Sequence, residues 1–508
     1  MLKKIRITLA AVVFICITLL FLDFTGGLRH YLGWMAKIQF LPAVLALNFA
    51  VILGLIILTL LFGRIYCSII CPLGVFQDIM ARIGRWGKRN PYSYSPAKSI
   101  LRYGVLAVFI LALVCGVGSF VALLAPYSAY GRIASNLFQP IYLLGNNALA
   151  AIAAHINSYA FYSADIWLKS MPTFIVAVAT LIILVVLAWR NGRSYCNTIC
   201  PVGTFLSLFA RFSWMKIHIN EDECHNCGKC SRYCKAACID FKEHKIDYSR
   251  CVVCGDCLGQ CSFNALHYCH PAHRHPVPSS RQATAPTKAQ FSSGEQATQV
   301  DTGRRNLLLG IAMTSTAVAK AQKDKKIEGG LAKIEDKVAP ERTTPITPPG
   351  SYSAEHMAQH CTGCQLCVSE CPNGVLRPSA GLMTLMQPVM SYERGWCRPE
   401  CTRCSEVCPT GAIKLIKRED KSSIHVGHAV WIKKNCVVLR DGVECGNCSR
   451  HCPNGAIDMV PYQTPDGEVK VPAVDPERCI GCGACENLCP ARPFSAIYVE
   501  GHEVHKVK

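Results

Sequence analysis

Acidic residues are scarce in this chain. Only 34 Asp and Glu stand against 53 Lys and Arg, giving a formal charge of +19 over 508 residues, and just 17% of residues are charged. No segment reads C-x-x-C-H, which excludes covalent c-type haem by the usual attachment motif. Walker A and G-x-G-x-x-G loops are also missing, so ATP hydrolysis and NADH oxidation by the chain itself are not expected. No nucleophile or acid–base constellation stands out. The chain therefore reads as an electron-transfer component, able to serve as a quinol-oxidising subunit but not as a stand-alone catalyst. Nucleic acid is not an expected partner: the basic residues map to the flanks of apolar runs and to a linker, with no basic stripe carrying interleaved aromatics.

Apolar residues make up 51% of the chain, and a mean hydropathy of +0.23 implies that they are gathered into blocks. Residues 7–24, 40–62, 104–125 and 173–189 are each apolar over a length close to the roughly 20 residues that cross a bilayer. Lys3, Lys4 and Arg6 precede the first run, and Arg64, Arg82, Arg85, Lys88, Arg89, Lys98 and Arg102 follow the second against one acid, Asp78. Retention of positive charge in the cytoplasm then places both ends of a four-span unit inside. The stretch 126–172 is half apolar; it is expected at the outer interface, where it could help form a quinone pocket. The expectation is a multi-pass protein of the bacterial inner membrane.

The 32 cysteines lie in short runs, unlike the dispersed cysteines of a disulfide scaffold. Four runs are spaced C-x2-C-x2-C-x3-C: Cys224, Cys227, Cys230, Cys234; Cys251, Cys254, Cys257, Cys261; Cys361, Cys364, Cys367, Cys371; and Cys479, Cys482, Cys485, Cys489. Two are variants, Cys397, Cys401, Cys404, Cys408 and Cys436, Cys445, Cys448, Cys452. This spacing resembles the two-cluster 4Fe-4S ferredoxins, in which three close thiolates hold one cubane and the fourth reaches its neighbour. Zinc competes for four thiolates, but usually draws two C-x-x-C pairs from separated loops. Six 4Fe-4S clusters follow. In the first pair, Cys224, Cys227 and Cys230 are expected to share with Cys261, and Cys251, Cys254 and Cys257 with Cys234. For the last four runs the expectation is nested pairing, outer with outer and inner with inner.

Four more cysteines form a second repeat, G-R-x-Y-C-x3-C-P-x-G, carrying Cys67 and Cys71 after the second span and Cys196 and Cys200 after the fourth. These pairs could bind a cluster jointly, act as redox thiols, or fold the membrane edge. Four spans with two such motifs followed by a two-cluster ferredoxin resemble the NapH-type (MauN-like) membrane ferredoxins over residues 1 to about 270. That resemblance implies quinol oxidation and a terminal, nitrate-reductase-like oxidoreductase or cytochrome subunit as partner. Residues 323–508 resemble the NapG-type (MauM-like) exported ferredoxins. Between the two, residues 271–303 read as a flexible linker containing His273 and His275, while Arg304, Arg305 and the small-residue site at Ala319–Ala321 resemble a twin-arginine export signal.

The expected class is thus multidomain, an α-helical membrane bundle plus α+β ferredoxin-like domains. Its divisions are a membrane domain (1–215), a cytoplasmic ferredoxin (216–270), the linker (271–303), a signal or fifth membrane segment (304–322), a second linker (323–350) and a periplasmic four-cluster domain (351–508). The functional expectation is electron transfer from the membrane quinone pool through the clusters to a terminal reductase. The alternatives are an assembly factor supplying reducing equivalents to another metalloenzyme and, third, a redox sensor, although no signalling domain follows the clusters.

Overall fold

The computed structural model describes residues 2–85, 92–158, 160–270, 327–328, 332–333, 335–465 and 467–508. The linker at 271–303 and the twin-arginine-like segment at 304–322 lie outside the described residues, as do Lys88 and Arg89.

Among the described residues three helices are long and apolar enough to cross a membrane: Lys3–Leu22, Pro126–His155 and Met171–Asn191. Two of the four expected spans are not single continuous helices. The run 40–62 is divided into helices Phe40–Leu45 and Phe49–Phe62. Leu47 between them takes a left-handed φ of 52°, and the Asn48 side chain accepts from the Val51 amide to start the second piece. The run 104–125 is likewise split, into Ser99–Val114 and Gly118–Leu124, at Gly116 with φ 72°. Hydropathy averages over such breaks because the residues around them are apolar. The stretch 126–172 is mostly helical, not an outer loop, and residues 126–136 are buried against the bundle.

Both ferredoxin-like modules are built from one-turn helices and short antiparallel strands, the usual α+β economy of such domains. In the first module Lys216–Ile219 pairs with Leu266–Cys269, closing residues 216–270 on themselves. In the C-terminal module Ile424–Trp431 pairs with Ile497–Val507.

The two modules contact opposite ends of the bundle. At one end the Tyr268 hydroxyl donates to Phe62 O (3.2 Å) and Lys3 pairs with Asp256 (3.1 Å). At the other, Arg29 pairs with Glu406 (2.9 Å), Ser135 bonds Ser369 (2.7 Å) and Asn136 donates to Gln365 (2.8 Å). A 20-residue helix is roughly 30 Å long, and Lys3–Leu22 runs from the first contact set to the second.

Candidate metal centres

Each cysteine run wraps a tight loop, and a hairpin between paired runs brings the next one back. Ile239–Asp240 with Lys245–Ile246 lies between runs one and two. Leu376–Pro378 with Pro388–Met390 lies between three and four, and Ile457–Thr464 with Gly467–Val474 between five and six. The nested pairing expected for the last four runs is therefore replaced by pairing of chain neighbours. Cys361, Cys364 and Cys367 are gathered with Cys408. Cys371 lines one cavity with Cys397, Cys401 and Cys404. Cys479, Cys482 and Cys485 lie with Cys452, and Cys436, Cys445 and Cys448 with Cys489. In the first module Cys230 is grouped with Cys224, Cys227 and Cys261, while Cys251, Cys254 and Cys257 line an enclosed cavity with Cys234.

These sets suit a 4Fe-4S cubane. The cavity walls beside the thiols are apolar: Val375, Leu376 and Met390 at one, Val437, Ala496 and Ile497 at another. Backbone amides already point at the ligating sulfurs, from Ile413 to Cys408 (3.3 Å), Ala456 to Cys452 (3.2 Å) and Ala496 to Cys489 (3.3 Å). Burial pushes the thiols up, Cys364 to about 12 and Cys448 to about 11, so their thiolates need a cationic partner there. Among the described residues no three His, Cys, Asp or Glu side chains converge tightly enough for a single ion. A mononuclear zinc site brings four thiolates to one metal at about 2.3 Å, whereas in a cubane each thiolate takes its own iron.

The two membrane-edge motifs fold alike and interlock. Gly63 and Gly192 turn the chain at φ 77° and 64°. Short helices Ile65–Ile69 and Ser194–Thr198 follow, then Pro72 and Pro201 open helices Pro72–Gly84 and Pro201–Ala210. A Cβ at Gly74 or Gly203 would meet the carbonyl of Cys67 or Cys196 at 2.2 or 2.5 Å, so only glycine fits. Arg64 donates to Cys196 O (3.1 Å) and Asn197 (2.9 Å), and Arg193 returns the contact to Cys67 O (2.6 Å). Cys67, Cys71, Cys196 and Cys200 are all buried in one group.

Arg64, Arg102, Arg132 and Arg193 are fully buried, so these arginines serve packing as well as carrying charge. Arg64 and Arg102 both donate to Ser249, two residues before Cys251. On the far side Arg132 lies near both Tyr195 and Cys364.

Lys235 occupies the place of the proline that follows the fourth cysteine in the later runs. Its ammonium bridges Asp78 (2.9 Å) and Asp256 (3.2 Å), and its carbonyl accepts from the Arg193 amide (2.8 Å), which docks the first module on the bundle. Burial opposes the charge on Asp78, but Arg193 and Lys235, with Arg6, hold its carboxyl well below the usual range. Beside this network lies a cavity of about 300 Å³ with an apolar wall (Ile7, Phe14, Ile79) and a charged floor (Arg6, Asp78, Lys235).

Several of these residues were not legible as site residues in the sequence. Lys421 lies 24 residues from Cys397, yet its ammonium reaches that sulfur at 3.2 Å. Cys238 belongs to none of the six runs, yet it lies in the cavity of Cys234 and Cys251. The one signal for it was its place four residues after a ligand.

Comparison with known families agrees with the pairing of neighbours. A 4Fe-4S binding domain matches residues 44–91 and 173–220, covering both membrane-edge motifs, and 4Fe-4S dicluster domains match 360–413 and 443–492. An uncharacterized protein of Methanocaldococcus jannaschii is 36% identical over 95 residues, 19% of this chain and 38% of that protein. The methylamine utilization ferredoxin-type protein MauM of Methylobacillus flagellatus is 30% identical over 165 residues, 32% of this chain and 70% of MauM. MauN of Paracoccus denitrificans is 26% identical over 213 residues, 42% of this chain and 62% of MauN. The chain thus spans less than two thirds of the first and third of these relatives. No solved structure matches it.

Proposed function

Because this chain belongs to the 4Fe-4S ferredoxin-type protein family of MauM and MauN, we propose that it is a membrane electron relay from quinol to a terminal oxidoreductase. The observation that carries this reading is the order of the thiol sets. The Cys251 set lies next to Ser249, which Arg64 ties to the membrane-edge set around Cys67 and Cys196. That set leads through Tyr195 and Arg132 to Cys364, and the Cys397 amide then bonds Cys482 O at 2.9 Å. Bound clusters supply one-electron acceptors along this line, six in the runs and a seventh at Cys67, Cys71, Cys196 and Cys200.

The amphipathic cavity beside Asp78 suits a quinol, its apolar wall facing the tail and its charged floor the ring hydroxyls. Oxidation there would release two protons to water and two electrons, which clusters held by the cysteine runs would accept one at a time. Asp78 is pinned as an anion by three cations, so it orients the ring and does not take the proton. The first module then faces the cytoplasm and the C-terminal module the periplasm, in keeping with the basic flanks of the inner loops and with docking at opposite ends of the bundle.

The test is anaerobic addition of a short-chain quinol to vesicles carrying the chain. Bleaching of the iron–sulfur absorbance is expected; no bleaching in vesicles whose clusters dithionite still reduces would overturn the relay. A protease-protection assay with a tag after Lys508 checks the side of the last module.

A further inference from the structure

In four of the cysteine runs the fifth residue counted from the last cysteine is a buried aliphatic one, and in the sixth run Ala496, whose amide donates to Cys489 Sγ, takes that place further along. Reading from the fourth cysteine, the tails are Cys408-Pro-Thr-Gly-Ala412, Cys452-Pro-Asn-Gly-Ala456, Cys371-Pro-Asn-Gly-Val375 and Cys261-Ser-Phe-Asn-Ala265, with Ala496 in the longer tail after Cys489. Those five residues are all aliphatic and at most 5% exposed. The first run breaks the pattern: Cys234-Lys-Ala-Ala-Cys238 puts a thiol there, 1% exposed.

Its sulfur lies 3.5 Å from that of Cys234, inside hydrogen-bonding range. The Cys251 sulfur is a second acceptor in reach. Cys238 lines the same enclosed cavity as Cys234, Cys251, Cys254 and Cys257. The run spacing assigns four of these five thiols to a cubane's four irons, which leaves Cys238 without an iron of its own. Once Cys234 is bound to iron its sulfur carries no hydrogen, so in the 3.5 Å contact between the two sulfurs Cys238 is the donor.

We infer that Cys238 is a potential-setting residue, donating an S–H···S hydrogen bond to the ligating sulfur of Cys234 and so making this one cluster easier to reduce than its neighbours. The reduced cluster carries one more negative charge than the oxidised one, and a donor at its sulfur stabilises the more negative state more. The position matters for the relay. Within the first module it is this site that Arg64 ties to the membrane-edge thiols, through Ser249 O and Cys196 O, and Val252 and Cys254 pack in the same core as Cys67 and Cys196. Within the first module it becomes the electron sink relative to the cluster of Cys224, Cys227 and Cys230.

The inference rests on the reading that the Cys251 set holds a 4Fe-4S cluster. The full chain, purified anaerobically in detergent, is compared with Cys238→Ala and Cys238→Ser by iron analysis and by redox titration followed by electron paramagnetic resonance. Alanine is the residue found at four of the five equivalent positions, so iron content is expected to stay unchanged while one midpoint moves to a more negative potential. Serine, whose hydroxyl is a shorter donor, gives a midpoint between the two. Full iron with unmoved midpoints overturns the inference, and loss of about four irons in the alanine chain does so too, because it makes Cys238 a ligand. Should the alanine chain fail to assemble, the serine chain decides: full iron and a midpoint identical to that of the wild type overturns the inference. Iron missing from this site in the wild type instead sinks the cluster reading beneath it.

Discussion

The indole of Trp167 is contacted by two guanidinium groups, Arg377 and Arg394, each 4.9 Å from the centre of its ring. Trp167 belongs to the stretch between helices Gln139–His155 and Met171–Asn191, and both arginines belong to the C-terminal module, so the stack is a clasp between the two. Each cation–π contact is worth about 0.5–2 kcal/mol. Trp167→Ala is expected to loosen docking while leaving the iron content unchanged. Faster amide exchange at residues 365–378, with exchange in the first module unaltered, is the readout; equal rates in both chains would show that the clasp contributes nothing.

The interlocked arginines of the membrane-edge motifs are expected to be among the least replaceable residues of the bundle. Arg64 makes bonds to Asn197, Ser249 and Cys196 from a fully buried position. Charge-assisted bonds contribute about 1.5–3 kcal/mol each. Arg64→Gln should lower the thermal unfolding midpoint by more than 5 °C, on a scale of roughly 2–4 °C per kcal/mol for large domains. Arg64→Lys should not rescue it, since an ammonium cannot reach several acceptors as a planar fork does. Full rescue by lysine would argue against the bidentate geometry.

Iron content distinguishes the roles left open for Cys67, Cys71, Cys196 and Cys200. Six occupied runs give about 24 irons per chain, and a seventh cluster at these thiols about 28. We expect the higher figure, and a fall of about four in a Cys67→Ser, Cys196→Ser double variant. A wild-type value near 24 that the double variant leaves unchanged would assign these cysteines to thiol chemistry or to packing instead.

Acid should weaken the C-terminal module through His505. Burial, with His502 adding to it, pushes this imidazole down to about 4 from an ordinary value near 6.5. The folded ring stays neutral and bonds Thr347 at 3.0 Å, while the unfolded chain takes up a proton below its own value. Stability is therefore complete above about pH 6.5, declines as pH falls toward 4 and levels off below, a change of at most about 3 kcal/mol. The difference in unfolding midpoint between wild type and His505→Gln, followed from pH 7 to 4, should shrink or invert over that window. A constant difference would remove His505 as the cause.

The sequence exposed those parts of the sites that are local. Four thiols within eleven residues specify a loop that converges on a cluster, and the turn glycines and prolines travel with it. What it hid is what distance along the chain conceals. Lys421 and Cys397, or Arg193 and Cys67, meet only after folding, and nothing in their own neighbourhoods marks them. The pairing of runs three with four was within reach, because the chain between Cys371 and Cys397 is short and folds into a hairpin at Leu376–Pro378 and Pro388–Met390. Counting six runs as equals obscured that local reason. The helix breaks at Leu47 and Gly116 were hidden for the opposite cause: apolar neighbours mask a change of backbone direction that hydropathy does not sense.

Docking of the two modules at opposite poles also bears on how the molecule is made. Residues 271–334 join two modules whose described contacts lie at different ends of the bundle. Synthesis on one polypeptide fixes a one-to-one ratio of the two modules, and it imposes an order. The first module can dock as soon as the bundle forms, whereas the last is completed later and docks after it. A chain stalled at that stage would carry a complete near half, with Arg29 and Ser135 still waiting for Glu406 and Ser369.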